Sequence, residues 1–162
     1  MKKFMFIFFV LLSLAAIAQD KVKTQVVSNH SVYIKGEKFE GVIFNEKYKF
    51  VLADKGSGFT PSANEVILAE RLLSEKLGDV ENRTDQKVFI IENLKSYRRQ
   101  YVGYFNEKGE KVIYINLFWK KNIKPDWLTK QVDVLDGGHY YWKVSINLTT
   151  SQLFNFYVNG EA

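Results

Sequence analysis

Cysteine is missing from all 162 residues, and proline and histidine occur only twice each. Without cysteine there can be no disulfide staple, thiol nucleophile, thiolate metal site or lipidated cysteine behind an export signal. A zinc site would need both His30 and His139, or one of them with carboxylates such as Asp133 and Asp136. A lone histidine beside a turn falls short of the ligand count that zinc requires. No metal or other cofactor is therefore expected. Charge of one sign is scarce as well, since 23 basic residues face 18 acidic ones for a formal net charge of +5. Nucleic-acid-binding domains are usually far more basic, which sets nucleic acid aside as a partner. The chain also lacks a G-x-S-x-G elbow. Ser57 lies between Gly56 and Gly58 without the strand–turn–helix setting of a nucleophile, and Glu107 and Glu110 read as solvated groups of a hairpin tip.

What the chain has is an amino terminus built for export. Met1-Lys2-Lys3 supplies a basic start, an apolar stretch runs from Phe4 to Ile17 broken only by Ser13, and Ala16 and Ala18 give the A-x-A spacing of a cleavage site. The expectation is a signal peptide over residues 1–18 and a mature chain of 19–162 forming one domain, secreted or periplasmic. The apolar stretch is shorter than the ~20 residues of a spanning helix, so no membrane anchor is expected after cleavage. Losing Lys2 and Lys3 takes the formal charge from +5 to +3. Asn82-Arg83-Thr84 and Asn147-Leu148-Thr149 match the glycosylation pattern but are expected to stay unmodified.

Aromatic residues make up 15% of the chain and offer the large buried areas that a domain without disulfides needs. Val22 to Ser28 reads as a first strand, and Gly41–Phe44 with Phe50–Ala53 as a short hairpin. One long helix is expected after Thr60-Pro61, with Ser62 and Glu65 as an alternative capping box. Val66, Ala69, Leu73 and Leu77 form its apolar stripe, and Gly78 is its stop.

Two strands, Tyr97–Phe105 and Lys111–Trp119, flank Asn106-Glu107-Lys108-Gly109, a turn that sets Tyr101 opposite Ile115. One face of this hairpin carries Tyr101, Ile113, Ile115 and Leu117 and should receive the helix, with Gly103 giving room for the helix backbone. A second hairpin is expected from Gln131–Leu135 and His139–Asn147 around Asp136-Gly137-Gly138, pairing Val134 with Tyr140 and Val132 with Trp142. Leu153–Val158 closes the series. The fold class is thus α+β, one main helix on a four- to five-stranded antiparallel meander with a small β region before it.

One helix followed by a meander that wraps it resembles the cystatin-like and NTF2-like α+β folds. The run Tyr97-Arg98-Arg99-Gln100-Tyr101-Val102-Gly103-Tyr104, then Gly109-Glu110-Lys111, Tyr114-Ile115-Asn116 and the ending Tyr157-Val158-Asn159-Gly160-Glu161-Ala162 are similar to segments of small uncharacterised secreted proteins of Gram-negative bacteria. The likeness covers roughly Phe59 to Ala162 and implies fold and export, with no catalytic residues to carry over. Gln100-Tyr101-Val102-Gly103 approximates the Q-x-V-x-G motif of cystatin inhibitors, but with the glycine one place early and inside a strand.

Three readings of function remain. The first is a non-enzymatic binding domain that uses the second hairpin face, where Arg98, Gln100, Tyr104, Tyr114 and Asn116 project together, for an unknown protein, peptide or glycan. The second is an enzyme with an NTF2-like pocket using His139 with Asp133 or Asp136. The third is a cystatin-like protease inhibitor. Lys95, Arg98, Arg99 and the run Trp119-Lys120-Lys121 to Lys124 mix cations with aromatics, as a single-stranded nucleic-acid or anionic-glycan surface would, but solvated strand ends and a loop account for them better at so low a net charge.

Overall fold

The Ser62 side chain opens the long helix. Its Oγ accepts from the Glu65 backbone N–H at 3.3 Å, while the Ser62 N–H donates to Glu65 Oε2 at 2.8 Å. This capping box satisfies two donors that a helix start leaves orphaned, and it sets the helix α1 at Ala63–Lys76. Thr60 is occupied elsewhere, its hydroxyl donating to the Glu46 carboxylate. Val66, Ala69, Leu72 and Leu73 are buried on one side of α1, and a tight turn, Leu77–Asp79, carries the chain past Gly78. A computed structural model describes residues 21–50, 57–80, 86–121 and 125–160. The expected signal peptide, Val51–Ala53, the Asn82 glycosylation pattern and Lys124 lie outside these residues.

The strands are β1 (Lys23–Ser28), β2 (Ser31–Lys35), β3 (Glu40–Phe44), β4 (Gly58–Phe59), β5 (Tyr97–Phe105), β6 (Lys111–Trp119), β7 (Tyr141–Asn147) and β8 (Gln152–Val158), with a short helix α2 (Lys87–Glu92) before β5. They form one eight-stranded sheet in the order β1-β2-β3-β5-β6-β7-β8, with β4 paired to β5 alongside β3. All neighbours are antiparallel except β3 and β5, which run parallel, Val42 opposite Gln100. This corrects the expected four- to five-stranded meander. The early strands do not form a separate region; they extend the same sheet. Val42, Ile43 and Phe44 are buried in succession, the mark of a strand covered on both faces rather than one at a margin. β3 therefore takes a neighbour on each side, β2 and β5.

The β5–β6 hairpin follows the sequence expectation. Asn106 Oδ1 accepts from the N–H groups of Lys108 and Glu110, Gly109 adopts φ 73°, and Tyr101 sits opposite Ile115. The face carrying Tyr97, Tyr101, Ile113, Ile115 and Leu117 packs on α1, joined by Trp142, Val144 and Ile146 of β7. Inside this core Glu70 Oε1 accepts from Arg99 Nε at 3.1 Å and from Tyr101 Oη at 2.9 Å. The Arg99 guanidinium also donates to the carbonyls of Tyr97 and Leu94, so a charge taken from water keeps its partners. Gly103 makes room, though not for the helix. A Cβ there would lie 2.6 Å from the Phe59 carbonyl, because β4 is pressed against β5 at that point.

The expected second hairpin does not form. Residues 131–135 make no strand, and β7 pairs directly with β6, Leu117 opposite Trp142. Gly137 and Gly138 both have positive φ and lead into a single turn, Gly138–Tyr140, that starts β7. Side chains of the sheet take the backbone groups of residues 127–132 that a strand partner would have used.

Candidate functional site

Register brings Arg98, Gln100, Tyr104, Tyr114 and Asn116 to one face of the sheet, with Gln100 directly opposite Asn116. That face is not open. The segment 125–133 crosses it, beginning with a turn at Pro125–Leu128 whose Trp127 is buried against Val42, Phe44, Val102 and Phe118. Gln100 holds the segment down. Its amide nitrogen donates to the carbonyls of Trp127 and Lys130 at 2.7 Å each, and its Oε1 accepts from the Val132 N–H at 2.9 Å. Asn116 Nδ2 bridges Gln100 Oε1 and the Val132 carbonyl, at 3.1 and 2.8 Å. Tyr48 adds its hydroxyl as acceptor for the Gln131 N–H at 2.9 Å.

The expected recognition residues thus have other occupations. Gln100 has no exposed surface, and Tyr104 is 4% exposed with its hydroxyl 3.5 Å from Ser145 Oγ. Tyr114 is half-buried with its ring edge-on to Phe50, and its phenol is pushed well up by burial and then by the nearby Asp133 carboxylate. Arg98 lies 4.8 Å above the Trp127 ring and 3.5 Å from Glu40 Oε1. The sheet face is a covered one: buried backbone polar groups in a crossing segment must find partners, and Gln100 and Asn116 are those partners.

His139 is half-buried. Its ring packs 4.1 Å from Phe89 and 4.2 Å from Tyr140, and its carbonyl accepts from the Tyr97 hydroxyl at 2.8 Å. Among the described residues no ion pair joins it to Asp133 or Asp136, both of which are exposed. No group of three or more His, Cys, Asp or Glu side chains comes together among the described residues. Gln100-Tyr101-Val102-Gly103 lies within β5, far from a hairpin tip. Glu110 binds the amides of Asn106 and Asn147, which together hold its carboxyl below the usual range and tie two neighbouring turns together.

A surface with no such internal occupation lies at α2. Val88 and Ile91, three residues apart and so on one side of the helix, are 64% and 42% exposed. On the other side of the helix Phe89 joins Trp119, His139 and Tyr140 in an aromatic nest, with Trp119–Tyr140 at 5.3 Å and Phe89–Trp119 at 5.8 Å. Tyr140 itself is 42% exposed. Sequence reading missed this helix because Lys87–Glu92 is too short to show a stripe and carries apolar residues on both sides. Comparison with protein-family models, curated proteins and solved structures finds no match.

Proposed function

We propose that this chain is an exported, non-enzymatic binding domain that meets a protein or peptide partner through α2 and the Gly138–Tyr140 turn. The observation that carries the reading is the exposure of Val88 and Ile91 on α2 together with that of Tyr140, whose ring meets Phe89 of the same helix. Aromatic and large apolar side chains grouped on a surface are the usual composition of an interface core. Aromatic rings also serve for stacking on a glycan, so that class of partner stays within the proposal. Export and kinship with cystatin-like or NTF2-like domains belong to the same reading. The kinship is supported by one long helix lying on the antiparallel run β5–β8.

The enzyme and inhibitor readings have less in their favour. An acid–base pair needs a carboxylate within hydrogen-bond reach of the imidazole, and His139 is surrounded by rings instead. An inhibitor loop needs its motif at a projecting tip, and here the motif is mid-strand. The test is a double variant, Val88→Glu with Ile91→Glu. It should keep the melting temperature within a degree or two while a partner cross-linked to the parent in the producing cell is lost. Retention of that partner by the variant would remove α2 from the proposal.

A further inference from the structure

At the end of the sheet where β5 begins, cations are lined up across neighbouring strands. Lys23 of β1 sits directly opposite Lys35 of β2, Lys35 opposite Glu40 of β3, and Glu40 reaches Arg98 of β5 at 3.5 Å. Side chains paired in this way project to the same side of the sheet, so the four form one row. Lys120 flanks it just past the end of β6, its backbone N–H bonded to the Ser96 carbonyl at 3.0 Å. Glu40 is the one carboxylate in the row and Arg98 already engages it. Lys23, Lys35 and Lys120 are exposed, and no ion pair reaches any of them among the described residues. Like charges directly opposite in an antiparallel pair are destabilising, so the Lys23–Lys35 pairing costs the free protein something that a bound anion would offset. The Lys120 ammonium pKa is lowered by partial burial and by Arg99, Arg98 and Lys35 nearby, with Glu40 acting in the opposite sense.

We propose that this row binds an anionic polysaccharide, whose sulfate or carboxylate groups meet Lys35, Lys23 and Lys120 across the strands. Strands lie about 4.8 Å apart, so Lys23 and Lys35 stand one strand step apart and Lys120 about three steps further along the row, a spread that suits an extended polymer with charges along its length better than a small anion. Single-stranded nucleic acid is less suited, since base stacking needs open aromatic faces and the rings closest to Arg98, those of Trp127 and Phe118, are buried. An anionic membrane is less suited too, because the row exposes no apolar wedge to enter the acyl boundary. The inference stands apart from the partner surface on α2.

The test uses the full chain on immobilised heparin as the sulfated probe, with elution salt as the readout. Lys35→Gln with Lys120→Gln should lower affinity at least tenfold and elute earlier, whereas Lys47→Gln with Lys108→Gln, at exposed sites away from the row, should elute with the parent. The Val88→Glu, Ile91→Glu variant should also keep its heparin affinity, so that loss of this site is told apart from loss of the other. Lys23→Gln alone should be at least as stable as the parent, since it relieves a like-charge pair. Equal losses in the two lysine pairs would reduce the effect to overall charge and overturn the proposal. So would tighter binding, through the same lysines, to a single-stranded oligonucleotide or to phosphatidylserine vesicles.

Discussion

Gln100 shows how one side chain can be placed correctly and still have its purpose misread. Period-2 alternation from the Asn106–Gly109 turn puts Gln100 beside Asn116 and on the same face as Tyr104, and the structure has them there. What alternation does not reveal is a third layer. Residues 125–130 have no helical or strand period and 131–133 read as the start of a hairpin strand, so nothing in the pattern announces that the segment lies across the sheet. Their hydrogen bonds go to side-chain amides, which no periodicity records. Gln100→Ala should therefore cost on the order of 3 kcal/mol, because it leaves the carbonyls of Trp127 and Lys130 and the Val132 N–H without their partner. A urea titration measures it. An unchanged midpoint would mean that Trp127, Tyr48 and Asn116 hold the segment without Gln100.

Elements with their own signals were legible, and those defined by neighbours were not. The α1 stripe of Val66, Ala69, Leu73 and Leu77 is buried as its spacing implies, and the capping box was one of two starts that the residues allow. The parallel pairing of β3 with β5 carries no local signal, since it joins residues nearly 60 positions apart in sequence. The α1 start also gives a pH prediction. Burial alone would raise the Glu65 pKa, but hydrogen bonds from the Lys111 ammonium and from the Ser62 N–H and hydroxyl outweigh it and hold the carboxyl below its ordinary 4.5. A carboxylate with a depressed folded pKa adds stability that is present above the unfolded value and lost as pH falls through the folded one. Glu65→Gln should accordingly be less stable than the parent at pH 7, by the modest amount typical of partly exposed pairs. The gap should close below pH 4.5. Urea midpoints at pH 7 and near pH 3 test this, and a gap equal at both would remove the ionised form of Glu65 from the account.

For the whole molecule, one sheet carries two different covers. α1 and the aliphatic side of β5–β7 form the larger core, while the aromatic residues Phe44, Tyr48, Phe118 and Trp127 seal the opposite face under an irregular segment. Both hairpin faces are thereby committed to folding, and the two surfaces proposed for partners, the end of the sheet and α2, lie away from them. Composition was a sound guide to the first point, because a cysteine-free chain rich in aromatics has to build its stability from such packing. It gave no guide to the second, since exposure of Val88 and Ile91 depends on how α2 lies over Trp119 and His139. The most direct measurement is a photo-crosslinking amino acid placed in turn at Val88, Ile91, Tyr114 and Asn116 in the producing cell. Specific adducts from 88 and 91, with none from 114 and 116, are the predicted result. Adducts from 114 and 116 alone would contradict it, returning the recognition surface to the sheet face and requiring the 125–133 segment to lift away.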